Sequence, residues 1–295
     1  MNVATTGFFD GVHLGHQKVV LTAKRIAEEK GQESQVVTFW PHPRSVLQQE
    51  AYDLRLLTSL QEKQALFKAL GIDRVTVLEF TKAFSRLTTE EFIKEYLIGQ
   101  CGVGTLVIGY DHRIGHDQDK SQQTMMDICR SCGLEVVRVE EFSLDGQVPS
   151  STKIRHLLEG GKVKRAAAFL GREYALKGVV VSGNHLGRTI GFPTANLNLY
   201  DPLKLIPGRG VYAVKVTLGK EHFKGICNIG TRPTVSHGER VSIETHILDF
   251  NEDIYGLDLG LEFVDRIRDE IKFPDLQGLK AQLEKDKRNA VKYFL

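Results

Sequence analysis

Gly7-Phe8-Phe9-Asp10-Gly11-Val12-His13-Leu14-Gly15-His16-Gln17 sets three glycines, one aspartate and two histidines within eleven consecutive positions. Just before it, Val3 to Thr6 reads as a short buried strand. Just after it, Lys18 to Ala27 repeats apolar residues at spacings of three and four, the period of an amphipathic helix. The glycine-rich stretch is therefore a strand-to-helix turn. In an open α/β sheet such a turn lies at the carboxyl end of its strand, where ligands bind, and the following helix offers free N–H groups and a partial positive charge to an anion. His13 and His16 stand three apart at the helix start and face the same way. Capping would account for either histidine alone; the two together with Asp10 favour a phosphate ligand. No Gly-x-x-x-x-Gly-Lys-Ser/Thr string occurs in the chain, so this is not a P-loop. Zinc would need ligands beyond two imidazoles, and the neighbouring sequence supplies neither a thiolate nor a third imidazole.

The same alternation continues downstream. Ser34 to Phe39 is a β-branched and apolar run of strand length, closed by Trp40-Pro41-His42-Pro43, where the prolines end it abruptly. Strand-end logic puts His42 and Arg44 beside the first turn, while a rigid loop with an incidental histidine is the competing reading. Leu60 to Leu70 is helical by period and stops at Gly71, and Arg74 to Leu78 is a strand. Thr88-Thr89-Glu90-Glu91 opens another helix with a hydroxyl cap and an acidic first turn. Thr105 to Ile108 is a strand ending in Gly109-Tyr110-Asp111-His112-Arg113-Ile114-Gly115, and Glu135 to Val139 is one more. Ser150-Ser151-Thr152-Lys153-Ile154-Arg155 then begins a helix, and capping by itself explains the hydroxyls. Ser150-x-x-Lys153 imitates a β-lactamase pattern whose Ser-Asp-Asn and Lys-Thr-Gly partners are missing. Repeated β–α units predict a parallel sheet with right-handed crossovers and these turns gathered along one edge.

Near residue 170 the alternation stops. Val179 to Val181, Val211 to Leu218, Phe223 to Ile229, Val241 to Leu248 and Leu259 to Val264 are short strands of period two, which predicts a second domain of β-barrel type. The domains are expected over 1–168 and 169–295, joined by a helix over Val163 to Leu170. The barrel's first loop, Ser182 to Leu197, is rich in glycine and proline; it is either a long hairpin or a backbone shaped around a polyphosphate. Pro207 to Ala213 contains a formal Gly-x-Gly-x-x-Ala string, but an alternating strand follows where a dinucleotide fingerprint demands a helix. Along Ser242 to Leu248, alternation puts Ile243, Thr245 and Ile247 on an apolar face and Glu244, His246 and Leu248 on the other. A solvated face is the plain explanation for Glu244. Arg266 to Phe273 leads into a C-terminal helix, Leu276 to Asp286, with Arg268 set to meet phosphate or to form a surface salt bridge.

Composition narrows the classes. At 295 residues with 41% hydrophobic and 26% charged side chains, the chain suits two soluble globular domains. Lys and Arg total 39 against 37 acidic residues, a net charge of +2 that gives no general attraction to nucleic acid or to an anionic membrane. Cys101, Cys129, Cys132 and Cys227 are too sparse for a disulfide framework, and Cys129-x-x-Cys132 lies in a helical pattern without the second pair a zinc site needs. With no secretory leader and no long apolar run, a cytoplasmic protein is expected.

The string Gly7-x-Phe9-Asp10-Gly11-x-His13-x-Gly15-His16 resembles the signature of the nucleotidyltransferase superfamily. In this form it resembles the adenylyltransferase half of the bacterial bifunctional riboflavin kinase/FAD synthetase family. Thr38-Phe39-x-Pro41-His42-Pro43, Gly109-Tyr110-Asp111-x-Arg113-x-Gly115 and Ser150-Ser151-Thr152-x-x-Arg155 are similar to further motifs of that family, with Ile114 where phenylalanine is common. Gly187 to Leu197 is similar to the riboflavin kinase signature, and Glu244-Thr245-His246-x-Leu248-Asp249-Phe250 to the kinase motif that bears a general base. The resemblance implies an α/β nucleotidyltransferase-like parallel-sheet domain followed by an all-β barrel with a C-terminal helix. It implies ATP contacts from Gly7, Phe9, Asp10, Gly15, Ser151 and Thr152, with His13, His16 and Arg155 neutralising the α-phosphate and the departing pyrophosphate. Pro41, His42 and Asp111 would line a flavin pocket. In the barrel it implies ATP contacts at Gly183, Gly187 and Thr194, flavin contacts at Gly191 and Arg268, Mg²⁺ on Thr194 and Asn196, and Glu244 as the base. Riboflavin plus ATP would give FMN, and FMN plus ATP would give FAD and pyrophosphate. The rival readings are a nucleotidyltransferase fused to a non-catalytic flavin-binding barrel, and an enzyme with kinase activity alone.

Overall fold

The structure, a computed structural model, describes residues 1–47, 54–116, 121–183, 187, 190–233 and 239–294. Asn184 to Leu186, Arg188 and Thr189 of the barrel's first loop lie outside the described residues. The chain packs as two compact units, Met1–Ser151 and Thr152–Leu295.

The first unit is a parallel five-stranded sheet built around β1 (Asn2–Thr6), which lies between β2 (Ser34–Trp40) and β4 (Val103–Ile108). With β3 (Arg74–Glu79) and β5 (Glu135–Arg138) the order is β3-β2-β1-β4-β5. Strands covered on both faces lose the polar alternation of an edge strand, and Val3 to Thr6 are all buried. On one face α1 (Leu14–Lys30) buries Val19, Val20, Ala23, Ile26 and Ala27. After a short α2 (Pro43–Leu47), α3 (Leu60–Ala69) adds Phe67 to that side. On the other face, α4 (Thr89–Glu91) continues over Phe92–Gln100 in a wider coil, in which the Cys101 N–H reaches back five residues to Tyr96 O at 2.9 Å. Phe92, Ile93 and Leu97 from this coil pack with Met125 and Cys129 of α5 (Gln122–Ser131) against Ala4, Val37 and Leu106. Each such side chain removed from water contributes about 1.5–3 kcal/mol. The expected hydroxyl cap is present, with Thr88 and Glu91 forming a capping box, and Ser59 and Glu62 form a second one at the start of α3.

In the second unit the latter part of α6 (Ser151–Glu159) and all of α7 (Val163–Leu170) precede a barrel of β6 (Tyr174–Val181), β7 (Ala195–Leu199), β8 (Gly210–Leu218), β9 (Glu221–Pro233), β10 (Glu239–Ile247) and β11 (Asp258–Arg268). It closes in the order β10-β7-β6-β11-β8-β9, every neighbour antiparallel. The helix α8 (Leu276–Val291) lies outside the barrel and brings Ala290 against Val211, Ile226 and Leu248. Leu248, assigned by alternation to the solvated face, is thus buried beneath a helix. Among the described residues no helix is long and apolar enough to cross a membrane.

Candidate functional sites

At the end of β1 the chain turns sharply. Phe9 and Val12 both take left-handed conformations, with φ of 53° and 41°. That costs a residue with a side chain about 1–3 kcal/mol, most plainly for β-branched Val12. Both side chains are held in a buried cluster with Val20, Val36, Phe67 and Ile72, so packing offsets the strain. The Asp10 carboxylate accepts hydrogen bonds from the Leu57 amide (3.0 Å), the Thr58 amide (3.1 Å) and the Thr58 hydroxyl (3.3 Å), and the Gly11 amide donates to that hydroxyl at 3.0 Å. Asp10 therefore fastens the segment before α3 beneath the turn. Ser151 donates from its hydroxyl to the Asp10 carbonyl at 2.9 Å.

His13 is the cap of α1: its Nδ1 accepts from the His16 amide at 3.3 Å, and the two imidazoles stack with centroids 3.6 Å apart. Gly15 makes this possible, since a Cβ there would lie 3.2 Å from His13 Cε1. A Cβ on Gly7 would likewise press on the Phe9 ring at 3.1 Å. His16 meets Phe9 edge-on at 5.3 Å, and its Nδ1 is buried with no hydrogen-bond partner among the described residues. Burial first, then the nearby charges of His13 and Lys63, holds its imidazolium form well below the ordinary histidine range. His13 thus caps the helix, and His16 is a neutral ring whose Nδ1 has no partner among the described residues.

Pro41 and His42 follow β2, and the His42 ring sits edge-on to Phe8 at 4.1 Å. Sequence reasoning missed Lys63 on α3, which is fully buried and donates from Nζ to the Phe8 carbonyl at 2.7 Å. The available signal was its spacing, four residues before buried Phe67 on the same helix stripe. Asp111 is exposed in the turn after β4, where the His112 amide donates to Gly109 O at 3.3 Å. His112 Nε2 is buried without a partner among the described residues, and burial lowers the pKa of this ring to about 4. Between pH 6.5 and 4 the unfolded chain takes up a proton at His112 that the folded chain refuses, so stability falls as the medium is acidified through this window, and His16, lowered in the same direction, adds to the fall below pH 6.5. For His112 alone the loss at pH 4.5 is roughly 2 kcal/mol. Thermal melts at pH 7 and pH 4.5 check it: His112→Phe should narrow the difference, and an unchanged difference would refute the assignment.

In the barrel, the pairing of β7 with β10 sets Asn196 opposite Glu244, and the pairing of β9 with β10 sets Asn228 opposite Glu244 on its other side. Residues so paired share a face, with Cβ atoms about 4.5–5.5 Å apart. A Cβ on Gly183 would collide with the Asn196 amide, and one on Gly187 with the Phe192 carbonyl, while the Thr194 hydroxyl lies 3.5 Å from that position. Glycine at these two positions lets the Asn196 side chain and the Phe192 carbonyl approach the loop backbone closely, with the Thr194 hydroxyl beside them. The loop is closed by Phe192 N–H donating to Gly187 O at 2.8 Å, by Gly191 in the left-handed region (φ 84°), and by His246 Nδ1 donating to Pro193 O at 2.8 Å. The Arg268 guanidinium grips buried Asp286 of α8, with Nη2 to Oδ2 at 2.8 Å and Nε to Oδ2 at 3.0 Å.

Residues 1–153 match the family described as FAD synthetase, and residues 170–294 match riboflavin kinase. The bifunctional riboflavin kinase/FMN adenylyltransferase of Bacillus subtilis is 41% identical, covering 99% of this chain and 92% of that protein. Its namesakes from Listeria monocytogenes (39%) and Escherichia coli K12 (35%) have the same coverage of both chains. The chain belongs to the bifunctional riboflavin kinase/FMN adenylyltransferase family. A crystal structure described as a macrolide-efflux protein from Streptococcus pneumoniae shares the fold, with a TM-score of 0.90 and 33% identity over 97% of this chain and 93% of that one. In this family member the FAD synthetase domain is carried by the parallel-sheet unit and the riboflavin kinase domain by the barrel, which does not favour a non-catalytic barrel.

The structure brings Gly7, Phe9, Asp10, His13, Gly15, His16 and Ser151 together at one turn. It gathers Gly183, Gly187, Thr194, Asn196 and Glu244 in the barrel. Thr152 and Arg155 follow Ser151 along α6 and belong to the second compact unit.

Proposed function

We propose that the chain converts riboflavin to FMN in its barrel and FMN to FAD in its parallel-sheet unit, with ATP as donor in both steps. The observation that supports this best is that each unit has its own glycine-relieved turn beside its own reactive side chains. In the barrel, Glu244 accepts the proton of the ribityl 5′-hydroxyl as that oxygen attacks the γ-phosphorus of ATP and ADP leaves. Thr194 and Asn196 would hold Mg²⁺, whose chemistry there is to neutralise phosphate charge. Their side-chain oxygens suit a hard cation, and Asn196 is paired across the strands with Glu244. Gly183 and Gly187 shape the loop against the nucleotide, and Gly191 meets the flavin.

In the parallel-sheet unit, an FMN phosphate oxygen attacks the α-phosphorus of ATP and pyrophosphate leaves. The α1 N-terminus and a His16 ring N–H stabilise the charge that grows on the α-phosphate. His13, stacked on His16, fixes its orientation. Arg155, with Ser151 and Thr152, serves the departing pyrophosphate, and Pro41, His42 and Asp111 border the flavin. Neither step needs a covalent enzyme intermediate, because positioning and preorganised charge each supply several kcal/mol. The substrates are small soluble molecules, and we assign the enzyme to the cytoplasm with no nucleic-acid partner.

Incubation with Mg-ATP and either riboflavin or FMN, followed by chromatographic separation of riboflavin, FMN and FAD, tests the proposal. FMN from the first substrate and FAD from both are expected. No FMN from riboflavin would leave a binding barrel, and no FAD from FMN would leave a kinase alone.

A further inference from the structure

We propose that Lys63 is a positioning residue for adenylyl transfer, holding the Phe8–Phe9 segment of the turn in its left-handed shape from beneath; this rests on the parallel-sheet unit being an FMN adenylyltransferase. A lysine with 0% exposure stays in an interior only where its protons are used. Here Nζ donates to the Phe8 carbonyl at 2.7 Å and to Thr38 Oγ1 at 3.3 Å, and the Thr38 hydroxyl donates to the same carbonyl at 3.3 Å. The ammonium also lies 3.7 Å from the centroid of the Phe8 ring, whose neighbour is His42. The next residue, Phe9, is the first of the left-handed pair and supports the His16 ring.

The anchoring is double. Thr58, just before the capping box of α3, binds Asp10, and Lys63 inside the helix binds Phe8. The helix therefore grips the turn at two residues on either side of Phe9. Charge agrees with geometry: burial lowers the Lys63 pKa to about 8 against the opposing pull of Asp10, and the same cation helps keep His16 neutral. Without the ammonium, the Phe8 carbonyl keeps, among the described residues, the Thr38 hydroxyl alone, and the peptide leading into Phe9 can relax from its strained conformation. The His16 ring would then lose its support from below.

The test uses the full chain with Lys63→Met, which keeps length and apolar bulk and discards only the ammonium. We expect kcat for FAD formation from FMN to fall about a hundredfold, the cost of a misplacement of about 1 Å. KM for ATP should stay within about threefold, and riboflavin phosphorylation by the same preparation within about twofold. Lys63→Arg, which retains a cationic donor, should recover about tenfold of the loss. Thr38→Val, a gentler change that removes the bridging hydroxyl, should cost about tenfold. Unchanged FAD formation in Lys63→Met overturns the proposal, as does a fall confined to KM. Should Lys63→Met lose both activities together with its melting transition, Thr38→Val decides, and adenylylation unimpaired there overturns it as well. Wild-type chain that makes no FAD from FMN defeats the adenylyltransferase reading itself, and the proposal with it.

Discussion

Glu244→Gln is expected to leave riboflavin unphosphorylated while FMN supplied directly is still converted to FAD. Glutamine has the shape of glutamate and leaves the β10 ladder intact, so the pairing with Asn196 and Asn228 on the flanking strands survives. What disappears is the capacity to take a proton, and general-base assistance is worth about 10²–10⁴ in rate. The measurement is a pair of initial rates, FMN from riboflavin and FAD from FMN, on one preparation. A loss of both, or of neither, would remove Glu244 from the role of base. The lesion lies in the barrel while the second reaction belongs to the parallel-sheet unit, so the second rate also serves as the control for folding.

The mirror experiment is His16→Ala, for which FAD formation should drop by about 10²–10³, the cost of deleting one preorganised donor at a developing charge, while FMN formation persists. The structure makes this variant unusually clean. The helix cap runs from the backbone amide of residue 16 to His13 Nδ1, so alanine keeps it. The deleted ring carries a buried nitrogen with no partner among the described residues, so its removal relieves desolvation and leaves the helix start in place. A variant that adenylylates FMN at the wild-type rate would show that the stacked pair is a cap and nothing more.

The architecture was largely legible from residue patterns because its elements are locally consistent. The helix read over Val163 to Leu170 and the start of the helix at Leu60 coincide with those observed, and the glycine, aspartate and histidine string marked the turn. What escaped depends on partners remote in sequence. Ala195–Leu199 is a strand of the barrel, yet its flanking proline and glycines made it read as loop, and only pairing with β6 and β10 defines it. The Asp10 carboxylate accepts from amides nearly fifty positions away, which no local pattern reveals. Lys63 draws no notice in the sequence because the groups that hold it, Phe8 and Thr38, lie on other elements. Arg268 was open between phosphate and salt bridge because Asp286, its partner, sits on a different element.

The order of the parallel sheet also bears on how the molecule is assembled. Its middle strand, β1, meets β2 after about one helix of intervening chain, but its other neighbour, β4, lies beyond a long excursion through β2, α2, α3, β3 and α4. Closing so distant a contact carries an entropic penalty that must be met before the central ladder yields any reward, and such topologies reach their native state slowly. During synthesis, one flank of that buried strand stays unsealed until residues past 108 have left the ribosome. The nascent unit is thus open to mispairing during that interval, and a chaperone that shields β1 at this stage would raise the yield of active enzyme more than one acting on the finished chain.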